Sequence, residues 1–162
     1  MPIDSRIEGV MAALKRNKMK PFYVENCDQL KVIIRELVKN DKLITIGGSM
    51  TLRESGVTEM LEEEFSGAFL DRSAAQDREE VEEIMRAAFN SDTFISSTNA
   101  LTEDGELYNV DGNGNRVSAM IFGPRQVIVV AGINKIVKDM AEAVKRVETV
   151  AAPKNTVRLE CD

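Results

Sequence analysis

Apolar positions recur every three or four residues at Ile7, Val10, Met11 and Leu14, at Leu30, Ile33, Ile34, Leu37 and Val38, and at Val81, Ile84, Met85 and Ala88. Each set predicts an amphipathic helix with one packed stripe. Between them lie short apolar or β-branched runs, Phe22 to Val24, Leu43 to Ile46, Ala68 to Leu70, Thr93 to Ser96 and Gln126 to Ala131, which predict strands covered on both faces. The last run is the most apolar and is expected at the centre of the sheet. Asn26 with Gln29, and Asp77 with Glu80, supply capping pairs. Gly56 interrupts a helix that resumes with Val57, Met60 and Leu61. Gly132 to Lys135 is expected to turn into a last helix carrying Val137, Met140, Ala141, Val144 and Val147. Ala151 to Asp162, with Pro153, reads as irregular or as a short edge strand. The alternation of strand and helix predicts an α/β fold in three layers, a doubly wound and mostly parallel sheet, in a single domain over 1–162. Ala100 to Thr102 and Glu106 to Val110 flank Asp104-Gly105 and add a β-hairpin insertion with a tight primed turn.

Composition narrows the function classes. A net charge of −6, with no run of lysines or arginines, argues against a nucleic-acid or anionic-membrane surface. No stretch is apolar enough to span a bilayer, and Met1 to Ser5 lacks the features of a signal peptide, so the cytoplasm is the expected location. Cys27 and Cys161 are far apart, and histidine is absent. No metal site and no cofactor of the chain's own is therefore expected, and a cluster would belong to a partner. Acid–base chemistry would fall to Asp, Glu, Lys, Tyr or a cysteine. Cys27 lies in a helix first turn, where a thiolate would be favoured, although such cysteines are mostly structural.

Ligands of open parallel sheets collect at the carboxyl ends of the strands. Three loops qualify. Gly47, Gly48, Ser49, Met50 and Thr51 present backbone amides and two hydroxyls at a helix start, an arrangement suited to a phosphate or carboxylate, or else a simple chain reversal. From Asn99 and Ala100 to Asn115, the chain crowds Glu103, Asp104, Glu106, Asn109, Asp111, Gly112, Asn113, Gly114 and Asn115 together. The carboxylates suit proton transfer, with Glu103 and Asp111 as catalytic candidates, or binding of ribose-type hydroxyls. The glycines bring a ligand close to the backbone, Asn115 is a candidate N-cap, and these residue types are also ordinary turn formers. Lys135, after the last strand, could complement an anion. Neither a Walker loop, a dinucleotide motif nor a calcium loop is present.

Five stretches taken together, Ile46 to Leu52 with Glu54 and Gly56, Asp71-Arg72, Thr98 to Gly105, Asn109 to Val117, and Phe122 to Pro124 continuing through Val129 to Val137, resemble the LUD domain, the lactate-utilisation family. The resemblance implies a fold like that of ribose-5-phosphate isomerase, glucosamine-phosphate deaminase and the coenzyme A transferases. It makes Gly47, Gly48, Ser49 and Thr51 the anion loop and Glu103, Asp104 and Asp111 the acidic one, although the isomerase's own acidic and lysine motifs are missing. It also implies an accessory or ligand-binding subunit in oxidation of L-lactate to pyruvate, beside iron–sulfur partner proteins. Longer relatives continue into a cysteine-rich tail, whereas this chain stops at Cys161-Asp162. Two other readings stand beside it. One is an independent enzyme on a phosphorylated sugar, nucleotide-like or acyl-coenzyme A substrate, and the other makes the loops a homodimer or partner interface.

Overall fold

The computed structural model describes residues 3–153. These fall into two compact units with interleaved sequence, one from residues 24–97 and 111–130, the other from 3–23, 98–110 and 131–153.

The first unit is built on four strands, β1 (Ile44–Ile46), β2 (Phe69–Leu70), β3 (Thr93–Ser96) and β6 (Gln126–Val129), all parallel in the order β2-β1-β3-β6. Side chains alternate across the sheet, so neighbouring residues serve opposite cores. On one face Ile44 and Ile95 pack with Ile34 and Val38 of α2 (Cys27–Val38), Leu52 of α3 (Met50–Glu54), and Val57, Met60 and Leu61 of α4 (Val57–Glu64). On the other, Phe94 packs with Ala88, which follows α5 (Arg78–Ala87), and with Ala119 of α6 (Asn115–Ile121). Helices on both faces make three layers.

Local sequence explains the helix boundaries. Gln29 N–H donates to Asn26 Oδ1 at 3.0 Å while Gln29 Oε1 accepts from Glu25 N–H at 2.9 Å. Glu80 repeats the exchange with Asp77 and Gln76 at the start of α5. Gly56, at φ +71°, separates α3 from α4.

The second unit holds α1 (Ser5–Arg16) and a three-stranded sheet of β4 (Ala100–Thr102), β5 (Leu107–Tyr108) and β7 (Ile136–Val137), followed by α7 (Met140–Arg146). The hairpin is present, with Ala100 opposite Tyr108 and Leu101 opposite Leu107. Its turn is not the primed type. Gly105 N–H donates to the Thr102 carbonyl at 2.9 Å, and positive φ falls on Gly105 (+79°) but not on Asp104. A type I turn followed by a left-handed glycine suits this position because a Cβ on Gly105 would meet Ala13 C and Leu14 N of α1 at 2.9 Å.

Four further expectations give way. Phe22 to Val24 forms no strand, and Phe22 is instead 48% exposed with Lys20 Nζ 5.2 Å from its ring centre. β6 lies at the sheet edge rather than its centre, because its apolar run answers to two covered faces, Val127 in one core and Ile128 in the other, rather than to two neighbouring strands. Val137 belongs to β7, parallel to β4, and the final helix begins only after Asp139, whose side chain accepts from Glu142 N–H at 3.0 Å. Asn115 is the first residue of α6, and Gly114, at φ +73°, takes the capping position. The expectations for residues 154–162, including Cys161, lie outside the described residues. Among those described, no helix is long and apolar enough to cross a membrane, and no three His, Cys, Asp or Glu side chains converge as a metal cage.

Candidate functional site

At the carboxyl end of β1, Gly47 continues the ladder by donating to the Ile95 carbonyl at 2.9 Å. A Cβ there would lie 2.7 Å from Ser96 Oγ and 3.2 Å from both Arg116 Cδ and Phe94 Cζ. Gly47 is therefore the point at which the first glycine turn, the end of β3 and the start of α6 touch. Gly48 is exposed, Ser49 and Thr51 are half-buried, and Met50 begins α3 with 48% of its surface open. Ser49 precedes α3 with extended backbone, but its hydroxyl does not cap the helix.

Arg116 organises the opposite side. Its side chain is 12% exposed and that of Asp111 is 10% exposed, so the pair is largely withdrawn from water. Arg116 Nε and a terminal nitrogen both donate to Asp111 Oδ1, at 2.8 and 2.7 Å, while Asp111 Oδ2 accepts from Val117 N–H at 2.7 Å. The other terminal nitrogen donates to the Ser97 carbonyl at 2.8 Å, and Ser97 Oγ donates to the Val130 carbonyl at 2.6 Å. Asp111 thus fills the first-turn amide of α6 and fixes the guanidinium against the end of β3. Gly112 and Asn113 are exposed, and Gly114 and Asn115 are half-buried. A Cβ on Gly112 would meet nothing within 4 Å, so packing does not demand glycine there.

Of the predicted residues, Gly47 to Thr51 and Asp111 to Asn115 belong to one unit, whereas Asn99, Ala100, Glu103, Asp104, Asn109 and Lys135 belong to the other. In that second group Asn99 Oδ1 accepts from Val110 N–H at 2.9 Å and Asn109 Oδ1 from Asn99 N–H at 3.3 Å, so the two amides brace the base of the hairpin. Ala100 is buried as the first residue of β4. Glu103, 43% exposed, pairs with Arg6 at 2.6 Å, and the exposed Asp104 offers its carbonyl to Asn17 Nδ2 at 2.9 Å. Lys135 is half-buried and closes a single 3₁₀ turn over Ile133–Lys135.

Four side chains, three in the first unit and one in the second, escaped the sequence reading. Ser96, 0% exposed, read only as the last residue of a strand, and Ser97, 5% exposed, lay between the strand and the acidic loop with no role assigned. Arg116 follows Asp111 by five residues across a loop, a spacing no helix or strand period marks. Arg146 of α7 donates to the Asn99 carbonyl, and burial holds its guanidinium below its ordinary pKa.

The family model described as the LUD domain matches residues 7–162. No curated protein and no solved structure matches the chain.

Proposed function

The chain belongs to the LUD domain family, which is associated with lactate utilisation, and from that premise we propose that it is a ligand-binding subunit of organic-acid metabolism. Its ligand is a small carboxylate of the L-lactate or pyruvate kind, seated beside the Gly47 to Thr51 turn and the Asp111 to Asn115 loop. The supporting observation is the contact at Gly47, which brings two loops more than sixty residues apart against one cation–carboxylate pair largely withdrawn from water. The turn contributes backbone amides and the Ser49 and Thr51 hydroxyls, while Asp111 keeps the Arg116 charge in place. In this reading Asp111 is a positioning residue, since both its oxygens are already engaged. We take the whole chain, 1–162, as one LUD domain of cytoplasmic type, with neither unit formed by a contiguous stretch of sequence.

Two cysteines and no histidine leave the chain without ligands for a cluster of its own, so the redox step falls to iron–sulfur partner proteins. Calorimetric titration of the purified chain with L-lactate, pyruvate, inorganic phosphate and ribose 5-phosphate tests the reading. The carboxylates are expected to bind, and Ser49→Ala and Gly112→Ala to weaken them without loss of folding. Absence of carboxylate binding at millimolar concentration, or binding that ignores both substitutions, would overturn it. A response confined to ribose 5-phosphate would favour the enzyme reading on phosphorylated sugars instead. Affinity capture from the source cells should also bring down a protein with the visible absorbance of an iron–sulfur cluster.

A further inference from the structure

On the flank of the Asp111 to Asn115 loop, an open groove of about 380 Å³ runs along α5. Its floor is apolar, made by Val81, Met85 and Phe89, and its rim carries Arg78 and Arg86 from the helix with Asn113 and Asn115 from the loop. The groove is open to solvent along one side, so an occupant would lie against it with one face exposed. α5 has one of the clearest apolar stripes in the sequence, yet none of its residues is fully buried. The helix therefore holds Val81 and Met85 beside an unfilled space instead of sealing them into the core.

Charge sets the class of occupant. The charged groups lining the groove are two arginines and Glu82, a local excess of one positive charge in a chain of net −6. Glu82 is shared between the guanidiniums at 3.5 Å each, too long for a tight bond and short enough to hold both on one side. Arg78 and Arg86 are 94% and 77% exposed, so their donors face solvent. A thioether and a phenyl ring on the floor suit a flat apolar group, and two carboxamides on the rim match the mixed donors and acceptors of a heterocycle's edge.

We propose that the groove between α5 and the Asn113–Asn115 loop is a binding subsite for a nucleoside monophosphate, with its base on Met85 and Phe89 and its phosphate on Arg78 and Arg86. The groove shares Asn113 and Asn115 with the loop of the organic-acid reading, but Gly47, Ser49 and Arg116 do not line it, so loss of AMP binding in Arg86→Glu with carboxylate binding intact separates the two. AMP, adenosine and inorganic phosphate titrated separately into the wild-type chain, Arg86→Glu and Met85→Trp provide the test, with thermal melts confirming that each variant folds. Arg86→Glu is expected to weaken AMP about tenfold or more and leave adenosine unchanged, whereas Met85→Trp should weaken both. Failure of the wild-type chain to bind AMP at millimolar concentration, or AMP binding equal in all three proteins, would overturn the site. So would an Arg86→Glu effect identical for AMP and phosphate together with no effect of Met85→Trp, because the floor would then contribute nothing.

Discussion

Gly47 is glycine because of its neighbours. Alanine there would bring a methyl group to 2.7 Å from the buried Ser96 hydroxyl, with Arg116 and Phe94 next in line. Gly47→Ala is expected to cost about 1–3 kcal/mol in chemical denaturation. Adding Ser96→Ala should recover part of that loss, since it removes the nearest atom but leaves the 3.2 Å neighbours. Asp111→Asn exposes a different dependence. The neutral amide cannot balance an Arg116 that is 12% exposed, and a loss of about 2–3 kcal/mol in urea denaturation is expected. Gly112→Ala provides the contrast, with a melting curve close to wild type, because its Cβ meets open space. The glycine turns and the acidic loop were legible as features from the residue types alone. That Gly47 answers to packing while Gly112 does not was hidden, because the atoms that decide it, at 96 and 116, are distant in sequence.

Elements were legible where their ends carry local chemistry. An Asn or Asp followed three residues later by Gln or Glu marked α2 and α5, and the same signature, Asp139 with Glu142, begins α7. It was passed over there because Val137, at helical spacing from Val144, suggested an earlier start, although β4 captures that valine in its ladder. Loss of the cap in Asp139→Ala should cost about 1 kcal/mol. Asp92 ties together the approaches to two strands, since Oδ2 accepts from Lys42 and Leu43 amides at 2.9 and 3.2 Å just before β1. Those amides, with lesser help from the Arg125 and Lys42 charges, hold its carboxyl below the usual pKa. The folded value lies below the unfolded one, so the stabilisation is complete above the ordinary carboxylate range and is lost as pH falls through the depressed value. Glu64, depressed chiefly by its hydrogen bond to Arg35, follows the same sign. Denaturation midpoints measured from about pH 6 downward should fall less steeply in Asp92→Asn than in the wild-type chain.

At the scale of the whole molecule, strand–helix alternation specified a parallel three-layer α/β sheet but not the order of its strands. Periodicity reports how many faces of a strand are covered and says nothing about how many of its edges are paired. Gln126 to Val129 is more apolar than either central strand, yet β1 and β3 occupy the middle, with Thr45, Phe94 and Ile95 no more than 2% exposed. Hydrogen bonding makes the distinction measurable. Gln126 N–H donates to the Asp92 carbonyl at 2.9 Å and Val130 N–H to that of Ser96 at 2.8 Å. By the two-residue period of a strand, Ile128 also points its amide at β3 while Val127 and Val129 point theirs away, where no strand lies among the described residues. Amide exchange resolved by residue should therefore be slow at Ile128 and Val130 and markedly faster at Val127 and Val129, with Phe94 and Ile95 slow throughout because β3 is paired on both sides. Equal protection at residues 127–130 would place a further strand on that edge and contradict the sheet order.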